Sequence, residues 1–239
     1  MRAPVKLYLA SSNPGKLDEF RALADWTRSS ANAAVREDLS VLSAGAGGSP
    51  PTASESPEIE FALVPGFALM PEFEENAPTF AENALGKALY YSQLWAEQIG
   101  GLDQNAFVFA DDSGLVVPAL DGAPGVKSAR YAGPNATAAQ RNDKLLNELS
   151  GKTGAGRVAH FVCVIALVGR RGADAIVSAR ADGSILDAPI GSGGFGYDPV
   201  FYFTQLKKSF AELSREEKNQ HSHRGKAFRR LLTLIPQLT

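Results

Sequence analysis

The chain alternates short apolar runs with stretches in which apolar residues recur every three or four positions. The run at residues 5–10 ends in the polar sequence SSNPGK, and helical spacing follows from Pro14 to about residue 28. This order predicts a strand, a loop and an amphipathic helix that begins with proline. Residues 59–63 alternate between apolar and polar side chains, which predicts a further strand.

Capping boxes, in which Ser or Thr is followed three residues later by Glu or Gln, predict where later helices begin. They stand at Thr79 and Glu82, at Thr137 and Gln140, and at Ser214 and Glu217. The first heads a helix that runs to about residue 100, and the second heads a helix closed by Gly151. The third heads a short helix, and a final helix covers residues 226–238.

The apolar runs between these helices predict the rest of a sheet. The sequence AFVFA (106–110) predicts a strand that ends at the turn DDSG, before a second apolar run at 115–120. Two long segments, 157–168 and about 175–187, are separated by GRRGAD and predict a hairpin of central strands. Strands alternating with helices, together with this hairpin, predict an α/β fold with a mixed central β-sheet flanked by helices.

One segment, SAGAGGSPPTASESPE at about 43–58, consists almost entirely of small residues and proline. Such a composition cannot supply a core element, so we interpret it as an extended surface loop or insertion. A linker between two domains is the alternative, but the residues before it are too few for an independent core. We therefore expect a single domain over residues 1–239 that carries this insertion.

Composition narrows the choice of partners and location. Lys and Arg (24) nearly balance Asp and Glu (26), so no global basic field favours a nucleic-acid polymer. No apolar run approaches the roughly 20 residues of a membrane helix. The single cysteine, Cys163, lies in the apolar stretch VAHFVCVIALV, where we interpret it as a core residue. These observations favour a cytoplasmic protein with no membrane contact.

The sequence SSNPGK (11–16) joins the first strand to the first helix and is a candidate anion site. Unpaired N–H groups at a helix N-terminus and a lysine both favour phosphate. A P-loop would need glycine at position 10 and a hydroxyl at position 17, where this chain has Ala10 and Leu17. An ordinary strand-to-helix turn is the alternative.

The sequence FADDSG (109–114) places Asp111 and Asp112 side by side after an apolar run. A carboxylate pair at a strand end can hold Mg²⁺ through its oxygens, and one member can orient or deprotonate a water. The alternative is a turn capped by one aspartate. Phosphatases that form a covalent aspartyl intermediate use the spacing D-x-D, which these adjacent aspartates lack.

The sequence GSGGFGYDP (191–199) is a candidate site for a flat ligand. Its glycines let the backbone approach a ring, on which Phe195 or Tyr197 can stack and whose polar edge Asp198 can read. A glycine-rich hairpin turn with a buried aromatic residue is the alternative.

The sequence EEKNQHSHRGKAF (216–228) gathers Lys218, His223 and Arg224 as cations near a helix start. Their charge opposes the helix dipole there, so they need a ligand or a carboxylate partner. A solvated basic face is the alternative.

Together the four sequences imply a ligand that combines phosphates, a flat ring and a metal ion, which describes a nucleoside polyphosphate. Their order and spacing, with TFAENALGKAL and FADDSGLVVPALDGAPGVKSARYAG, resemble the inosine and xanthosine triphosphate pyrophosphatases, the Ham1-like family. The resemblance runs from about residue 5 to about residue 235. It is interrupted mainly at 27–73, where this chain looks longer than the family pattern.

The resemblance implies Mg²⁺-dependent hydrolysis of non-standard purine nucleoside triphosphates (ITP, dITP and XTP) to the monophosphate and pyrophosphate. It also implies a long substrate cleft, a homodimer and a role in cleansing the nucleotide pool. The nearest rival is a Maf-like pyrophosphatase of other modified nucleotides, against which the sequences FGYDP and SHRG argue. A catalytically silent nucleotide-binding protein is the rival from another class.

The resemblance further assigns roles to residues. It implies Asp112 as the catalytic residue and a metal ligand, with Glu75 and Asp111 as further metal ligands. The implied phosphate contacts are Ser11, Ser12, Asn13, Pro14, Gly15, Lys16 and Lys87, and Ser113 is a further substrate contact. The implied base pocket consists of Phe195, Gly196, Tyr197, Asp198, Lys218, His223 and Arg224. Ser11 and Ser12 stand where the family often has Thr-Gly, which preserves one hydroxyl and loses a glycine.

Overall fold

Seven strands form one mixed sheet in the computed structural model, which describes residues 4–29 and 58–238. The strands are β1 (Val5–Leu9), β2 (Ile59–Leu63), β3 (Ala106–Val116), β4 (Val158–Gly169), β5 (Gly172–Ile185), β6 (Phe201–Phe203) and β7 (Lys208–Ser209). The helices of the described part are α1 (Pro14–Ser29), α2 (Phe80–Ile99), α3 (Ala138–Glu148), α4 (Arg215–His221) and α5 (His223–Leu238). The proposed insertion lies outside the described residues over 43–57.

The strand order is β2-β1-β3-β4-β5-β6-β7. β1 pairs in parallel with both β2 and β3, and each later pair in the sheet is antiparallel. The α/β fold with a mixed sheet is thereby confirmed, as is the hairpin that β4 and β5 form. No helix within the described ranges is long and apolar enough to cross a membrane.

Helices cover both faces of the sheet because its strands alternate apolar side chains between the two faces. On one face, Phe107 and Phe109 of β3 pack with α1 and with Phe228 of α5. On the other face, Val108 and Ala110 pack with α2. Consecutive residues of β3 therefore face different helices.

The expected helix starts are confirmed by their caps. The Thr79 hydroxyl accepts a hydrogen bond from the Glu82 backbone N–H, and Thr137 and Ser214 each form a reciprocal capping box. The end expected for α3 is wrong, because the helix stops at Glu148 and Gly151 lies in the turn that follows.

The turn expected at DDSG is also wrong, because β3 continues through these residues to Val116. The reason is β4, which pairs with β3 from Val108 to Val116 and gives Asp111 and Asp112 the regular partners Ile165 and Val164. A complete antiparallel ladder keeps this stretch extended despite its two carboxylates. Asp111 and Asp112 therefore point to opposite faces of the sheet.

The other edge of β3 is only half covered. Pairing with β1 ends at Phe109, whose carbonyl accepts a hydrogen bond from the Ala10 N–H, while β3 runs on for seven residues to Val116. Beyond this point the chain leaves β1 and enters the start of α1 at Pro14. The separation leaves an open edge on which a cleft can form at the carboxyl ends of the parallel strands.

Candidate active site

A cavity of about 680 Å³ lies where β1 separates from β3. Its lining comes from the loop after β1, the segment before α2, α2 itself, β3, the loop at 195–198, and the start of α5. The predicted site residues that line it are Ser11, Ser12, Asn13, Lys16, Glu75, Lys87, Asp112, Ser113, Phe195, Gly196, Tyr197, Asp198, Lys218, His223 and Arg224. Pro14 and Gly15 lie in the chain between the lining residues Asn13 and Lys16. Asp111 is fully buried next to the lining residue Asp112.

The loop after β1 is organised by Asn13. Its side-chain oxygen accepts hydrogen bonds from the backbone N–H groups of Gly15 (3.0 Å) and Lys16 (3.4 Å) and so caps the first turn of α1. The backbone N–H of Asn13 donates a hydrogen bond to the Ser11 hydroxyl at 3.2 Å. Ser12 and Asn13 are exposed to the cavity. The loop thus presents polar groups and a helix N-terminus, which together suit an anion.

Asp111 is fully buried and faces α1 and α5. Its carboxylate lies 3.1 Å from Lys16 Nζ and 3.5 Å from Arg224 Nη2, and it accepts a hydrogen bond from the Ser113 hydroxyl at 2.8 Å. Burial alone would raise the pKa of Asp111, but Lys16, Arg224 and Lys87 outweigh it and hold the pKa well below its usual range. Asp111 is therefore an ionised partner of these cations.

Asp112 is buried on the opposite side of β3 and lines the cavity. It accepts a hydrogen bond from Asn83 Nδ2 at 3.0 Å. Burial, followed by the nearby charge of Glu75, raises the pKa of Asp112 to about 6, although Lys16 and Asn83 oppose the shift. Such a carboxylate is ionised at neutral pH and remains basic enough to accept a proton.

Glu75 and Lys87 form an ion pair on the α2 side of the cavity. Burial alone lowers the pKa of Lys87, but Glu75 and the two aspartates outweigh it, so that the pKa is raised and the ammonium is charged. Arg130 Nη2 donates to the Glu75 backbone carbonyl at 2.7 Å. Glu75 is thereby brought to the same side of the cavity as Asp112.

The carboxylates of Asp112 and Glu75 fit a hard divalent cation. The charge of Glu75 contributes to the raised pKa of Asp112, and a cation bound between the two carboxylates would offset this repulsion. The described residues contain no group of three or more His, Cys, Asp or Glu arranged to hold a metal. Two carboxylates match the usual protein contribution to a Mg²⁺ site that is completed by water and substrate phosphates.

The loop at 195–198 holds one exposed and one buried aromatic ring. Phe195 is 38% exposed, whereas Tyr197 is 4% exposed and its hydroxyl donates to the Ser128 carbonyl at 2.8 Å. Asp198 fixes the turn by accepting from the Phe195 N–H at 2.8 Å and from Lys218 Nζ at 2.6 Å. Phe195 is thus the ring available for stacking, and Tyr197 anchors the loop.

Glycine at position 15 allows the loop after β1 and the loop at 195–198 to approach each other closely. A Cβ at Gly15 would lie 3.4 Å from the Phe195 ring, so the ring packs directly over the first turn of α1. The side-chain ammonium of Lys218 and the guanidinium of Arg224 each lie 5.6 Å from the centre of this ring. The loop after β1 and the loop at 195–198 are therefore neighbours in the wall of the cavity.

The cations near the start of α5 find carboxylate partners. Arg224 is buried and pairs with Glu19 of α1 as well as with Asp111. Lys218 pairs with Asp198 at 2.6 Å and approaches Glu19 at 3.5 Å. The solvated basic face is therefore excluded for these residues.

His223 is not a cation in this setting. Burial first, and then the charges of Arg224 and Lys218, lower its pKa well below 6.5, so the ring is neutral at neutral pH. The ring stacks on Phe161 with centres 4.7 Å apart, and its buried Nδ1 has no hydrogen-bond partner in the structure. His223 itself lines the cavity, so its neutral ring is a candidate ligand contact.

Sequence patterns alone did not point to Glu19 or Asn83. Glu19 follows Lys16 by three residues, and Asn83 precedes Lys87 by four, so each shares a helix face with a predicted phosphate contact. Asn83 is fully buried on the side of α2 that packs on the sheet. The sequence signal for Asn83 was a polar residue at a position where the helical repeat predicts an apolar one.

The chain belongs to the Ham1 family, whose model its sequence matches over residues 7–234. It is 46% identical over 180 residues to the dITP/XTP pyrophosphatase of Desulfotalea psychrophila, covering 75% of this chain and 76% of the relative. It is 38% identical to the dITP/XTP pyrophosphatase of Leuconostoc mesenteroides, covering 97% of both chains. These matches confirm the family resemblance found in the sequence.

A solved structure of a HAM1 protein from Coxiella burnetii has the same fold. The two chains align with a TM-score of 0.71 at 36% identity, covering 98% of this chain and 99% of the other. This chain therefore shares its overall fold with that HAM1 protein.

Arg224→Ala is expected to reduce stability strongly, because it leaves two carboxylates, one of them fully buried, without their shared cation. Removing one partner of a buried ion pair costs about 3–5 kcal/mol. At about 2–4 °C per kcal/mol for a chain of this size, the midpoint of thermal unfolding should fall by roughly 10 °C. Differential scanning calorimetry measures this midpoint.

Arg180→Ala is the matched control. Arg180 pairs with Asp182 at 3.1 Å, and both side chains are about two-thirds exposed (64% and 65%). Such a surface pair contributes about 0–1 kcal/mol. Equal unfolding temperatures for the two variants would contradict a buried role for Arg224.

Proposed function

We propose that this protein hydrolyses the non-standard purine nucleoside triphosphates ITP, dITP and XTP to the monophosphate and pyrophosphate and thereby cleanses the nucleotide pool. The observation that carries the proposal is the single cavity that unites a helix N-terminus, two lysines, a carboxylate pair and an exposed aromatic ring. The relatives named as dITP/XTP pyrophosphatases support the choice of substrate.

The phosphates bind, in this proposal, between the loop after β1 and α2. The side chains of Ser11, Ser12 and Asn13 donate to phosphate oxygens, and the N-terminus of α1 contributes the positive end of its helix dipole. Lys16 and Lys87 face this space from opposite sides of β3 and offset the charge of the β and γ phosphates. Ser113, whose hydroxyl is held by Asp111, extends the polar wall next to them.

Mg²⁺ is the cation we propose for Asp112 and Glu75. When bound, it would offset the negative charge on the phosphoryl oxygens and lower the pKa of an attacking water. The lining itself has no excess of positive charge, because its cationic side chains are matched in number by acidic ones. The cations are Lys16, Lys87, Arg130, Arg141, Lys218 and Arg224, and the acids are Glu19, Glu72, Glu74, Glu75, Asp112 and Asp198. A bound triphosphate therefore needs additional cations.

Asp112 orients the attacking water and accepts its proton. With a pKa of about 6, its carboxylate is ionised at neutral pH and can accept a hydrogen bond and then a proton from the water. Asp111 has a different task in this proposal from the metal ligation suggested by the sequence. It faces away from Asp112 and holds Lys16 and Arg224 in place.

The base lies against Phe195 in this proposal, next to His223 and Lys218. His223 lines the cavity beside this ring, and Arg224 and Lys218 place positive charge nearby. A donor here pairs with the C6 keto oxygen of hypoxanthine or xanthine, whereas adenine has an amino group at that position. Leaving such a buried group unpaired costs about 1–3 kcal/mol.

The proposal is tested by measuring pyrophosphate release with Mg²⁺ from ITP, XTP, dITP, GTP, ATP and dUTP. We expect turnover of the first three to exceed that of the others. We expect Asp112→Asn to abolish turnover, because asparagine is neither a base nor a strong metal ligand, while the protein stays folded.

Asp182→Asn, an exposed position on β5, is the control and should hydrolyse ITP at the normal rate. Near-normal ITP hydrolysis by Asp112→Asn would contradict the role given to Asp112. Preference for modified pyrimidine or methylated nucleotides would favour the Maf-like reading, and binding without release would favour the silent binding protein.

Metal binding is expected to depend on pH through Asp112. A protonated carboxyl does not bind the cation, and the pKa of Asp112 is about 6. Affinity for Mn²⁺, measured calorimetrically without nucleotide, should therefore fall up to about tenfold per unit as pH drops below 6 and level off above 7. Asp112→Asn should lose this dependence, and a constant affinity of the wild type from pH 5 to 8 would contradict the assignment.

We further propose a homodimer located in the cytoplasm. Ile176 of β5 pairs in register with Ala166, which places it on the α2 face of the sheet, yet it is 48% exposed. Leu89 on α2 is also partly exposed. A second copy that covers this face would bury both side chains. The buried free thiol of Cys163 suits a reducing compartment.

Ile176→Arg is expected to shift the protein from dimer to monomer, because it places a charge in the proposed contact. Sedimentation velocity measures the species present. Glu216→Arg, on the exposed side of α4, should leave the dimer intact. An unchanged sedimentation coefficient for Ile176→Arg would exclude this face as the interface.

A further inference from the structure

The segment that carries Glu75 has no regular structure of its own. Residues 71–77 belong to neither a helix nor a strand, although Glu75 must stay close to Asp112 for both to serve one cation. An irregular segment keeps one conformation only if other elements fix it. The contacts that do so come mainly from α2.

Phe73 attaches the beginning of this segment to α2. Its ring fills the space beside Gly86, where a Cβ would lie 2.8 Å from the ring. Its backbone N–H donates to the Tyr91 hydroxyl at 3.1 Å. These contacts fix the chain two residues before Glu75.

Asn83 attaches the end of the segment and reaches Asp112 at the same time. Its Oδ1 accepts from the Ala77 N–H at 2.9 Å, and its Nδ2 donates to Asp112 Oδ2 at 3.0 Å. The side chain is fully buried, and both ends of its amide are used. One rigid amide thus spans the distance between the strand that carries Asp112 and the segment that carries Glu75.

The orientation of this amide is fixed by its partners. A carboxylate accepts hydrogen bonds and a backbone N–H donates, so only one of the two amide orientations satisfies both. The bond to Nδ2 occupies one oxygen of Asp112 and fixes the direction in which the other oxygen points. A residue that acts on a ligand in this way commonly changes metal affinity by about 10–100-fold when it is removed.

We infer that Asn83 is a positioning residue for the metal site, which holds the carboxylates of Asp112 and Glu75 at the separation and orientation that one divalent cation requires. This inference rests on the proposed function, because it takes Asp112 and Glu75 as the metal ligands. Asn83 is fully buried and does not line the cavity, so we assign it no direct contact with substrate or metal. It acts through Asp112 and through the backbone at Ala77.

The test compares Asn83→Ala with the wild type in two measurements. Binding of Mn²⁺ without nucleotide, followed by electron paramagnetic resonance, should weaken about tenfold or more. The Mg²⁺ concentration for half-maximal ITP hydrolysis should rise by a similar factor, and saturating Mg²⁺ should restore much of the rate. A purely structural residue would lower the unfolding temperature without changing either metal measurement.

Asn83→Leu covers the case in which the alanine variant does not fold. Leucine has the same number and branching of side-chain heavy atoms, so although it is larger than asparagine it fills the space and offers no donor or acceptor. It should show the same loss of metal affinity. Ser92→Ala, at another buried polar position of α2, is the matched control and should bind Mn²⁺ like the wild type.

Three outcomes separate the possibilities. Weak metal binding by a folded Asn83 variant, with a normal Ser92→Ala, supports the inference. Metal binding equal to the wild type overturns it and leaves the proposed function intact. If Asp112→Asn binds Mn²⁺ as well as the wild type does, the metal site itself is wrong and the inference fails with it.

Discussion

The buried carboxylate of Asp111 is the interaction on which the site depends. Removing a carboxylate from water costs several kcal/mol unless cations and hydrogen bonds replace the solvent. Lys16 from the start of α1 and Arg224 from the start of α5 supply those cations, so two helices are fixed to one strand. Arg224 and Lys218 both pair with Glu19, which extends the same charge network from the loop after β1 to the loop at 195–198.

The two adjacent aspartates acquire opposite properties because a strand turns them to opposite faces. Asp111 is surrounded by cations, which lower its pKa. Burial and then the nearby charge of Glu75 raise the pKa of Asp112. The same sequence in a turn would have exposed both carboxylates to water. The antiparallel ladder with β4 is what separates them, and the early end of β1 is what opens the edge beside them.

Local signals were sufficient for much of the fold. Capping boxes located the starts of α2, α3 and α4, and the long apolar segments located the hairpin. The extent of β3 was not predictable, because it follows from pairing with β4, some 50 residues away, which overrides the turn preference of DDSG. The neutral state of His223 and the buried positions of Tyr197 and Arg224 follow equally from tertiary burial. Motif spacing indicated which residues meet in the cavity, whereas their partners required the assembled structure.

The charge network also sets the order in which a growing chain can acquire its site. Arg224 meets Asp111 across 113 residues and Glu19 across 205 residues. Until α5 has been synthesised and docked, the Asp111 carboxylate lacks Arg224, one of its two ion-pair partners among the described residues, and burying this carboxylate is costly. Long-range closure of this kind is slow compared with local helix formation. A ribosome-bound chain that lacks its last helix would therefore hold the residues proposed to bind phosphate without forming the cavity that brings them together.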